Sequence, residues 1–356
     1  LLGGVLTSNE IKRIEKKKVK SDDSIVEKAP SNVLNSGFRS FMKATVLSEA
    51  HTLALMERGL SAEDIEAGEF FTFPEVNSDF LMTMYNWMKQ ARISSQILKY
   101  VPGFVTAEHL KQEQNGEVRY LYTFTNQTGL GIPIKNAMGE VVGIQVRKDT
   151  VKEGEQRFAW FSSSYAEHKN TYKHGTPAGA PLHVTYPKEN KFKNVAFITE
   201  GIFKATAIAN QFNATAVSLQ GVGNFHTIVE ELEAIQEENG TLEHIFIAFD
   251  ADMAQNVHVY RHLRKMVEKI KEAFPEVKFY NSLWDEVNGK GIDDLMDAGK
   301  IDLLKRVDMD AFIEKYDVII EELEVKHNEK IVKIPKAFIK EAFVQQVFTP
   351  LMNPTA

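Results

Sequence analysis

Apolar and polar positions follow different patterns along the chain, and each change of pattern marks a different kind of structure. From about residue 38 to residue 110, apolar residues recur at the three- and four-residue spacing of a helix face. Within this stretch, Gly59 favours the left-handed turn that ends one helix, and Ser61 with Asp64 forms the capping-box pattern that begins another. The pattern predicts a helical segment over residues 41–112, containing a compact helix–turn–helix unit whose usual role is packing.

The pattern changes near Gly116. Short runs rich in β-branched and aromatic residues occupy positions 119–124, 131–134 and 141–147, with turn residues at 136–139. These runs predict a small β-rich module, which we assign to residues 113–182.

From Val195 onward, apolar strands alternate with helical segments, which is the pattern of a parallel α/β sheet. Strands are predicted over residues 195–198, 214–219, 245–249 and 277–280. Because ligands bind beyond the carboxyl ends of parallel strands, functional groups are expected at the tips of the first three strands. We assign residues 183–305 to this α/β domain and residues 306–356 to a helical C-terminal segment.

Composition limits the possible functions. A chain of 356 residues is long enough for about two domains, and its hydrophobic fraction of 43% is that of a globular protein. No apolar run approaches the ~20 residues of a membrane span, so no membrane partner is expected. The chain has 0 cysteines, which excludes disulfides, thiolate zinc sites and a cysteine nucleophile and fits a cytoplasmic protein. The net charge of −7 argues against a uniformly basic nucleic-acid-binding surface.

Residues 1–40 contain a basic run at 11–20, followed by a polar stretch with too few apolar residues for a core. This composition predicts a solvated tail or linker, and a basic arm that contacts phosphates is the alternative. The chain begins with Leu1 rather than Met, so we expect it to be a piece of a longer protein.

Acidic residues follow the predicted strands. Glu200 ends one strand, while Asp250 and Asp252 end a second strand that we expect beside it. Carboxylate oxygens are the ligands that Mg²⁺ prefers, and both aspartates can reach one ion only if the strand has already turned into a loop. Asp293 and Asp294 are further candidate ligands, although aspartates at the start of a helix also serve as caps.

Three segments, at residues 197–201, 218–223 and 247–252, together resemble the TOPRIM domain of bacterial-type primases, topoisomerases and some nucleases. The likeness lies in a strand-borne Glu-Gly, a Gly-x-Gly turn and a strand-borne Asp-x-Asp in this order. Upstream, residues 53–65 are similar to the Arg-Gly-Leu-Ser segment near the start of the bacterial primase catalytic core, and residues 132–147 are similar to a strand–turn–strand of its first subdomain.

The similarity covers roughly residues 51–300 and is strongest to the divergent primases of phages, plasmids and other mobile elements, which share a Gly-Lys-Gly-Ile-Asp-Asp motif like that at 289–294. It implies an α/β TOPRIM sheet flanked by helices, preceded by a small α+β primase-type subdomain and a helical N-terminal segment. The implied activity is the synthesis of short primers on single-stranded DNA from ribonucleoside triphosphates. A replicative helicase, separate or fused, is the implied protein partner.

The resemblance also implies roles for individual residues. Glu200, Asp250 and Asp252 would be catalytic and would hold Mg²⁺ or Mn²⁺, with Asp293 and Asp294 as further ligands and with no zinc.

Contacts to nucleotide or template are implied for a second set of residues. Arg147 and Arg157 would bind phosphates or template, although a strand arginine paired with a nearby carboxylate is the alternative. Lys290 would reach the triphosphate, while Gly221 and Gly223 would let the backbone approach the ligand.

Lys204 stands where primases usually have a further acidic residue, four positions after the Glu-Gly glutamate. This departure leaves the number of bound metals open, and Lys204 is either a phosphate contact or an ordinary helix-surface lysine. Two other functions stay open: a TOPRIM nuclease that uses water as nucleophile, and a non-catalytic module that binds nucleic acid or replication partners.

Overall fold

The computed structural model describes residues 26–112, 118–164, 175–326, 336–348 and 351. The chain divides into two compact units, Leu1–Pro181 and Leu182–Ala356, which we call the first and second unit. The basic run at 11–20 that was predicted to belong to a tail lies outside the described residues.

The first unit combines helices with two antiparallel sheets. Its strands form a four-stranded sheet in the order β1-β4-β5-β6 and a separate β2-β3 pair. The helices are α1 (Ser31–Met42), α2 (Glu49–Met56), α3 (Ala62–Gly68) and α4 (Ser78–Gln90), and the strands are β1 (Phe71–Thr72), β2 (Phe104–Gln112), β3 (Val118–Phe124), β4 (Leu130–Lys135), β5 (Val141–Arg147) and β6 (Phe158–Trp160).

The predicted helix–turn–helix is confirmed in detail. Gly59 has a φ of +81° after the end of α2. The Ser61 hydroxyl accepts the Asp64 N–H at 3.1 Å, and the Asp64 carboxylate accepts the Ser61 N–H at 3.0 Å, so the capping box is complete.

Two parts of the first unit differ from the sequence-based prediction. Helix α1 begins at Ser31, inside the predicted tail, and buries Phe38 and Phe41 completely. Its apolar residues Val33, Leu34, Phe38 and Phe41 recur at helical spacing and lie on one buried face. The polar residues before and between them led to the assignment of this segment to the tail. Strands β1 and β2 lie inside the segment predicted to be helical, because their pairing with distant strands overrides the local pattern.

The core of the first unit is a cluster of phenylalanine rings around Phe41. The centroid of this ring lies 5.1–5.9 Å from the centroids of six others, mostly in edge-to-face geometry. They are Phe71, Phe73, Phe80, Phe104, Phe124 and Phe161. Because these rings come from α1, α4, both sheets and the connections between them, one side chain joins all of these elements.

Glu69 joins the end of α3 to two other elements of the first unit, α1 and β4. It follows α3 in the left-handed conformation, with a φ of +52°. Its carboxylate accepts hydrogen bonds from Arg39 at 2.7 Å and from Lys135 at 2.6 Å. Burial alone raises the pKa of Glu69, but these two cations outweigh burial and hold the pKa below its usual range.

The second unit contains a six-stranded sheet in the order β12-β11-β10-β8-β9-β7. The four inner strands are parallel, and the two edge strands are antiparallel to their neighbours. The strands are β7 (His183–Thr185), β8 (Val195–Thr199), β9 (Thr215–Ser218), β10 (His244–Ile247), β11 (Lys278–Leu283) and β12 (Lys305–Asp308), and the helices are α5 (Ile202–Phe212), α6 (Ile228–Asn239), α7 (Val257–Ala273), α8 (Ile292–Asp297), α9 (Met309–Lys326) and α10 (Lys336–Ala342). In the part of the chain that is described, no helix is both long and apolar enough to cross a bilayer.

The strand order creates a switch point between β8 and β10. The connection through α5 leads from β8 to β9 on one side, and the connection through α7 leads from β10 to β11 on the other side. These two connections therefore leave the pair β8/β10 in opposite directions. In open α/β sheets, such a point is where a crevice forms at the carboxyl ends of the strands.

Strands β7 and β12 were not predicted. Both are short edge strands, and β12 buries only Val307 among charged neighbours, so neither carries the apolar run of a central strand. Strand β12 also extends into the segment predicted to be helical from residue 306.

We expect Phe41→Ala to destabilise the first unit by about 3–5 kcal/mol, because the substitution leaves a cavity among rings that come from many elements. Urea denaturation followed by circular dichroism would measure the loss. Met138→Ala is the control, since Met138 is 75% exposed. Equal effects of the two substitutions would contradict a central role for Phe41.

We expect Glu69→Gln to lower the free energy of unfolding by about 0.5–1 kcal/mol at pH 7, because solvent partly screens the two ion pairs. A carboxylate with a lowered folded-state pKa stabilises the fold above its unfolded pKa, and this stabilisation is lost as the pH falls through the folded pKa. The difference between the variant and the wild type should therefore shrink towards about pH 3. Glu66→Gln, at an exposed position of α3, is the control; a difference that persists in acid would contradict the ion-pair explanation.

Candidate functional site

Three predicted carboxylates lie at the switch point of the second unit. Glu200 directly follows β8, and Asp250 and Asp252 follow β10, which pairs with β8 in parallel. The buried hydroxyl of Thr199 donates a hydrogen bond to the Ala248 carbonyl at 2.8 Å. This bond joins the ends of the two strands and thereby fixes the carboxylates next to one another.

The segment that carries Asp250 and Asp252 has already left the strand, as β10 ends at Ile247. Its turn is held by a hydrogen bond from the Ala251 N–H to the Lys290 carbonyl at 2.9 Å. The Lys290 ammonium lies 3.9 Å from an Asp250 oxygen and 3.4 Å from an Asp252 oxygen. The strand has therefore turned into a loop, as a shared ion requires, and both aspartates lie near one cation, the Lys290 ammonium.

Lys204 lies in the first turn of α5 and points back to the carboxylates. Its ammonium forms an ion pair with Asp250 and lies 3.5 Å from a Glu200 oxygen. The Lys204 side chain is only 19% exposed, so it is not an ordinary helix-surface lysine. The pairing of Lys204 with Asp250 could not be predicted from the sequence, because these two residues are 46 positions apart.

The electrostatics of the cluster follow from burial and from the excess of carboxylates. Burial and the neighbouring Asp250 raise the pKa of Glu200, although Lys204 opposes them. Burial alone lowers the pKa of Lys204, but Asp250 and Glu200 outweigh it and raise the pKa. The Asp252 carboxylate likewise raises the pKa of Lys290. Both ammonium groups therefore stay charged at neutral pH.

Asp293 and Asp294 have different positions at the start of α8. The Asp294 carboxylate accepts the Gly291 N–H at 2.9 Å and so caps the helix, as the alternative interpretation of this residue expected. Asp293 has one buried oxygen that no described group hydrogen-bonds, and burial raises its pKa while Lys204 opposes the rise. Asp293 therefore adds unsatisfied negative charge beside Lys204.

The glycine-rich tip after β9 lies at the same edge of the sheet. Gly221 has a φ of +126°, and its N–H donates to the Glu200 carbonyl at 3.2 Å. A Cβ atom on Gly223 would lie 3.4 Å from the His262 ring. Gly221 therefore brings backbone next to Glu200, whereas Gly223 lies against His262 of α7.

The donor set suits a hard divalent cation only in part. Among the described residues, no group of three or more His, Cys, Asp or Glu side chains is arranged to hold a metal ion. Ammonium groups of Lys204 and Lys290 lie among the carboxylates. Mg²⁺ often uses only one or two carboxylates together with waters and substrate phosphates, and Asp250 with Asp252 supplies such a pair.

The predicted arginines belong to the first unit. Arg147 ends β5, and Arg157 comes directly before the paired strand β6, where its carbonyl accepts the Lys148 N–H at 2.9 Å. Burial lowers the pKa of Arg147, and the positive charges of Arg58 and Arg157 lower it further, whereas the nearby Asp149 carboxylate opposes them. The Arg147 Nε is buried without a hydrogen-bond partner in the described structure.

A group of like-charged guanidinium groups with an unsatisfied donor is suited to bind an anion such as phosphate. Arg58 was not predicted as a member of this group. It lies in the Arg-Gly-Leu-Ser segment, so the motif contained it, but only the fold places it near Arg147.

Residues 190–302 match a protein family described as a domain of unknown function, DUF3854. No curated protein matches the chain significantly.

Two solved structures of primases are similar in fold. The RNA polymerase domain of the Mycobacterium tuberculosis primase DnaG has a TM-score of 0.52 and 16% identity, covering 92% of this chain and 96% of that chain. The zinc-binding and RNA polymerase domains of the Aquifex aeolicus primase have a TM-score of 0.51 and 13% identity, covering 98% of this chain and 81% of that one. The likeness is one of fold. At these identities, it leaves activity and ligands to be argued from the site.

We expect Gly291→Ala to disturb the cluster, because the new Cβ would lie 2.1 Å from an Asp293 oxygen and 3.0 Å from the Lys204 Cε. The expected loss of stability is about 1 kcal/mol, at the low end for overpacking, since side chains can shift. Gly201→Ala is the matched control, because its Cβ would meet nothing within 4 Å. Thermal unfolding of both variants measures the difference, and equal melting temperatures would show that Gly291 is not packed against the cluster.

Proposed function

We propose that this chain is the catalytic core of a primase-type nucleotidyltransferase, which synthesises short primers on single-stranded DNA from ribonucleoside triphosphates. One observation carries the proposal. Glu200, Asp250 and Asp252 lie at the carboxyl ends of adjacent parallel strands, at the switch point of the sheet, in a chain with the fold of primase RNA polymerase domains.

The proposal includes a finer assignment of the fold. The second unit would be a TOPRIM domain, which its strand order and its Glu-Gly, Gly-x-Gly and Asp-x-Asp motifs support. The first unit would be the primase-type subdomain with its helical N-terminal segment. The motif at 289–294 favours a divergent primase of a phage, plasmid or other mobile element, which would act in the cytoplasm of a prokaryotic or phage-infected cell with a separate or fused helicase as partner.

Asp250 and Asp252, with Glu200 beside them, are the residues that would hold Mg²⁺ or Mn²⁺. When bound, the ion would neutralise the triphosphate and lower the barrier to attack by a 3′-hydroxyl. Lys290 is 61% exposed beside these carboxylates, so its ammonium would reach phosphate oxygens of an incoming nucleotide. The backbone at Gly221 would approach the same ligand without the obstruction of a side chain.

The arginine group of the first unit would bind phosphates of the template or of the nucleotide. Its support is the unsatisfied Arg147 Nε beside the charges of Arg58 and Arg157, because such a donor gains most from an anionic acceptor. This contact would orient the substrate rather than take part in bond formation.

A template-directed synthesis assay tests the proposal, with single-stranded DNA, labelled ribonucleotides and Mg²⁺. The wild type should make short oligonucleotides, and Asp250→Asn/Asp252→Asn should lose at least about 100-fold of the rate, because ligands of a charge-neutralising ion supply several kcal/mol to the transition state. Asp297→Asn/Asp302→Asn removes the same charge from exposed positions of the second unit and should keep the activity.

The integrity of the template is followed in the same reactions. Cleavage of the template without synthesis would overturn the proposal in favour of a TOPRIM nuclease. Neither activity, with DNA binding retained, would overturn it in favour of a non-catalytic binding module, which the ion pair between Lys204 and Asp250 favours.

A further inference from the structure

Two ammonium groups occupy two different positions in the carboxylate cluster. Asp250 lies between them, since its Oδ1 pairs with Lys204 and its Oδ2 lies 3.9 Å from the Lys290 ammonium. The position of the Lys204 ammonium is shared with Glu200, at 3.5 Å, and we call it the inner position. The position of the Lys290 ammonium is shared with Asp252, at 3.4 Å, and we call it the outer position.

The two positions differ in their exposure to solvent. The side chain of Lys204 is 19% exposed and that of Lys290 is 61% exposed. An exposed ion pair contributes little to stability and is exchanged easily, because water screens the charges. Removing one partner from a mostly buried pair is costly, because it leaves an uncompensated charge away from water.

The surroundings of Lys204 also hold it in place. Its Cε lies 3.0 Å from the point where a Cβ on Gly291 would be, so the start of α8 packs against its stem. Asp293, with its unsatisfied buried oxygen, adds a third carboxylate that attracts the ammonium. The backbone of Lys204 thus lies four residues after Glu200, in the first turn of α5, and its ammonium group lies among three carboxylates.

We infer that Lys204 is a built-in cation that permanently takes the inner position, so that only the outer position accepts a divalent ion. Glu200 then holds and orients Lys204. Asp250 and Asp252 bind the divalent ion, which displaces the Lys290 ammonium from the outer position. The inference rests on the proposed function in one respect, namely that this cluster takes a divalent cation. It answers the question of metal number, which the sequence left open.

The test is the number of Mn²⁺ ions bound per chain, measured by electron paramagnetic resonance of free Mn²⁺ during titration of the full chain. Binding to Asp250→Asn/Asp252→Asn is subtracted as background from other sites. The wild type should bind one ion at the cluster. Lys204→Met, which keeps the length of the side chain without its charge, should bind two, whereas Lys204→Arg should again bind one.

Lys290→Met is the matched control, because it removes the same charge from the outer position; it should still bind one ion, with unchanged or higher affinity. If Lys204→Met does not fold, the inference is tested by comparing the wild type with two single variants, Glu200→Gln and Asp252→Asn. Glu200→Gln should keep the ion, and Asp252→Asn should lose it. Two ions or none on the wild type, or one ion on a folded Lys204→Met, would overturn the inference.

These outcomes are separate from the outcome of the synthesis assay. A wild type that binds one ion but makes no oligonucleotides would contradict the proposed function and leave the role of Lys204 standing. A wild type that makes primers with two bound ions would support the proposed function and contradict the role of Lys204.

Discussion

The second unit must neutralise carboxylates that its own topology brings together. Asp250 is the carboxylate that most needs a counter-charge, because its side chain is only 13% exposed and Glu200 and Asp252 lie on either side of it. A carboxylate in this position requires a cation or a proton, since an unpaired charge away from water is very unfavourable. The repulsion between Asp250 and Glu200 also raises the pKa of Glu200. The Lys204 ammonium offsets this repulsion, and the packing of α5, α8 and the turn after β10 keeps Lys204 in place.

The sheet explains why this charge problem exists at all. Strands β8 and β10 are neighbours although β9 comes between them in the chain, and the Thr199 hydroxyl joins their ends. The connections leave the two strand ends in opposite directions, which in open α/β sheets is where a ligand crevice forms. The ion pairs of Lys204 and Lys290 show that Glu200, Asp250 and Asp252 meet at this point. The same topology that makes a ligand site therefore also makes an excess of negative charge.

The sequence predicted those features that depend on local pattern. The capping box at Ser61, the four parallel strands and the clustering of Glu200 with Asp250 all follow from short motifs and from the general behaviour of parallel sheets. Helix α1 was missed although its apolar residues have helical spacing, because the segment was assigned from its polar composition. Otherwise the prediction failed where distant partners decide, since the edge strands β7 and β12 exist only because a neighbour pairs with them. The role of Lys204 belongs to the same class, because a lysine in a helix pattern carries no sign of its partner.

An ammonium group and a metal ion are not equivalent solutions to the charge problem. Lys204 supplies positive charge, but it offers no open coordination position and does not acidify a bound water, both of which a divalent ion provides. A lysine in place of an acid at this position would change the local charge from −1 to +1, so it would remove a candidate ligand and supply a cation in one step. Under the inference drawn above, the inner part of the cluster would need no ion from solution, and the exposed outer part, beside Lys290, would keep the coordination that phosphates require. The occupancy of the inner position would then be independent of metal concentration, whereas that of the outer position would still depend on it.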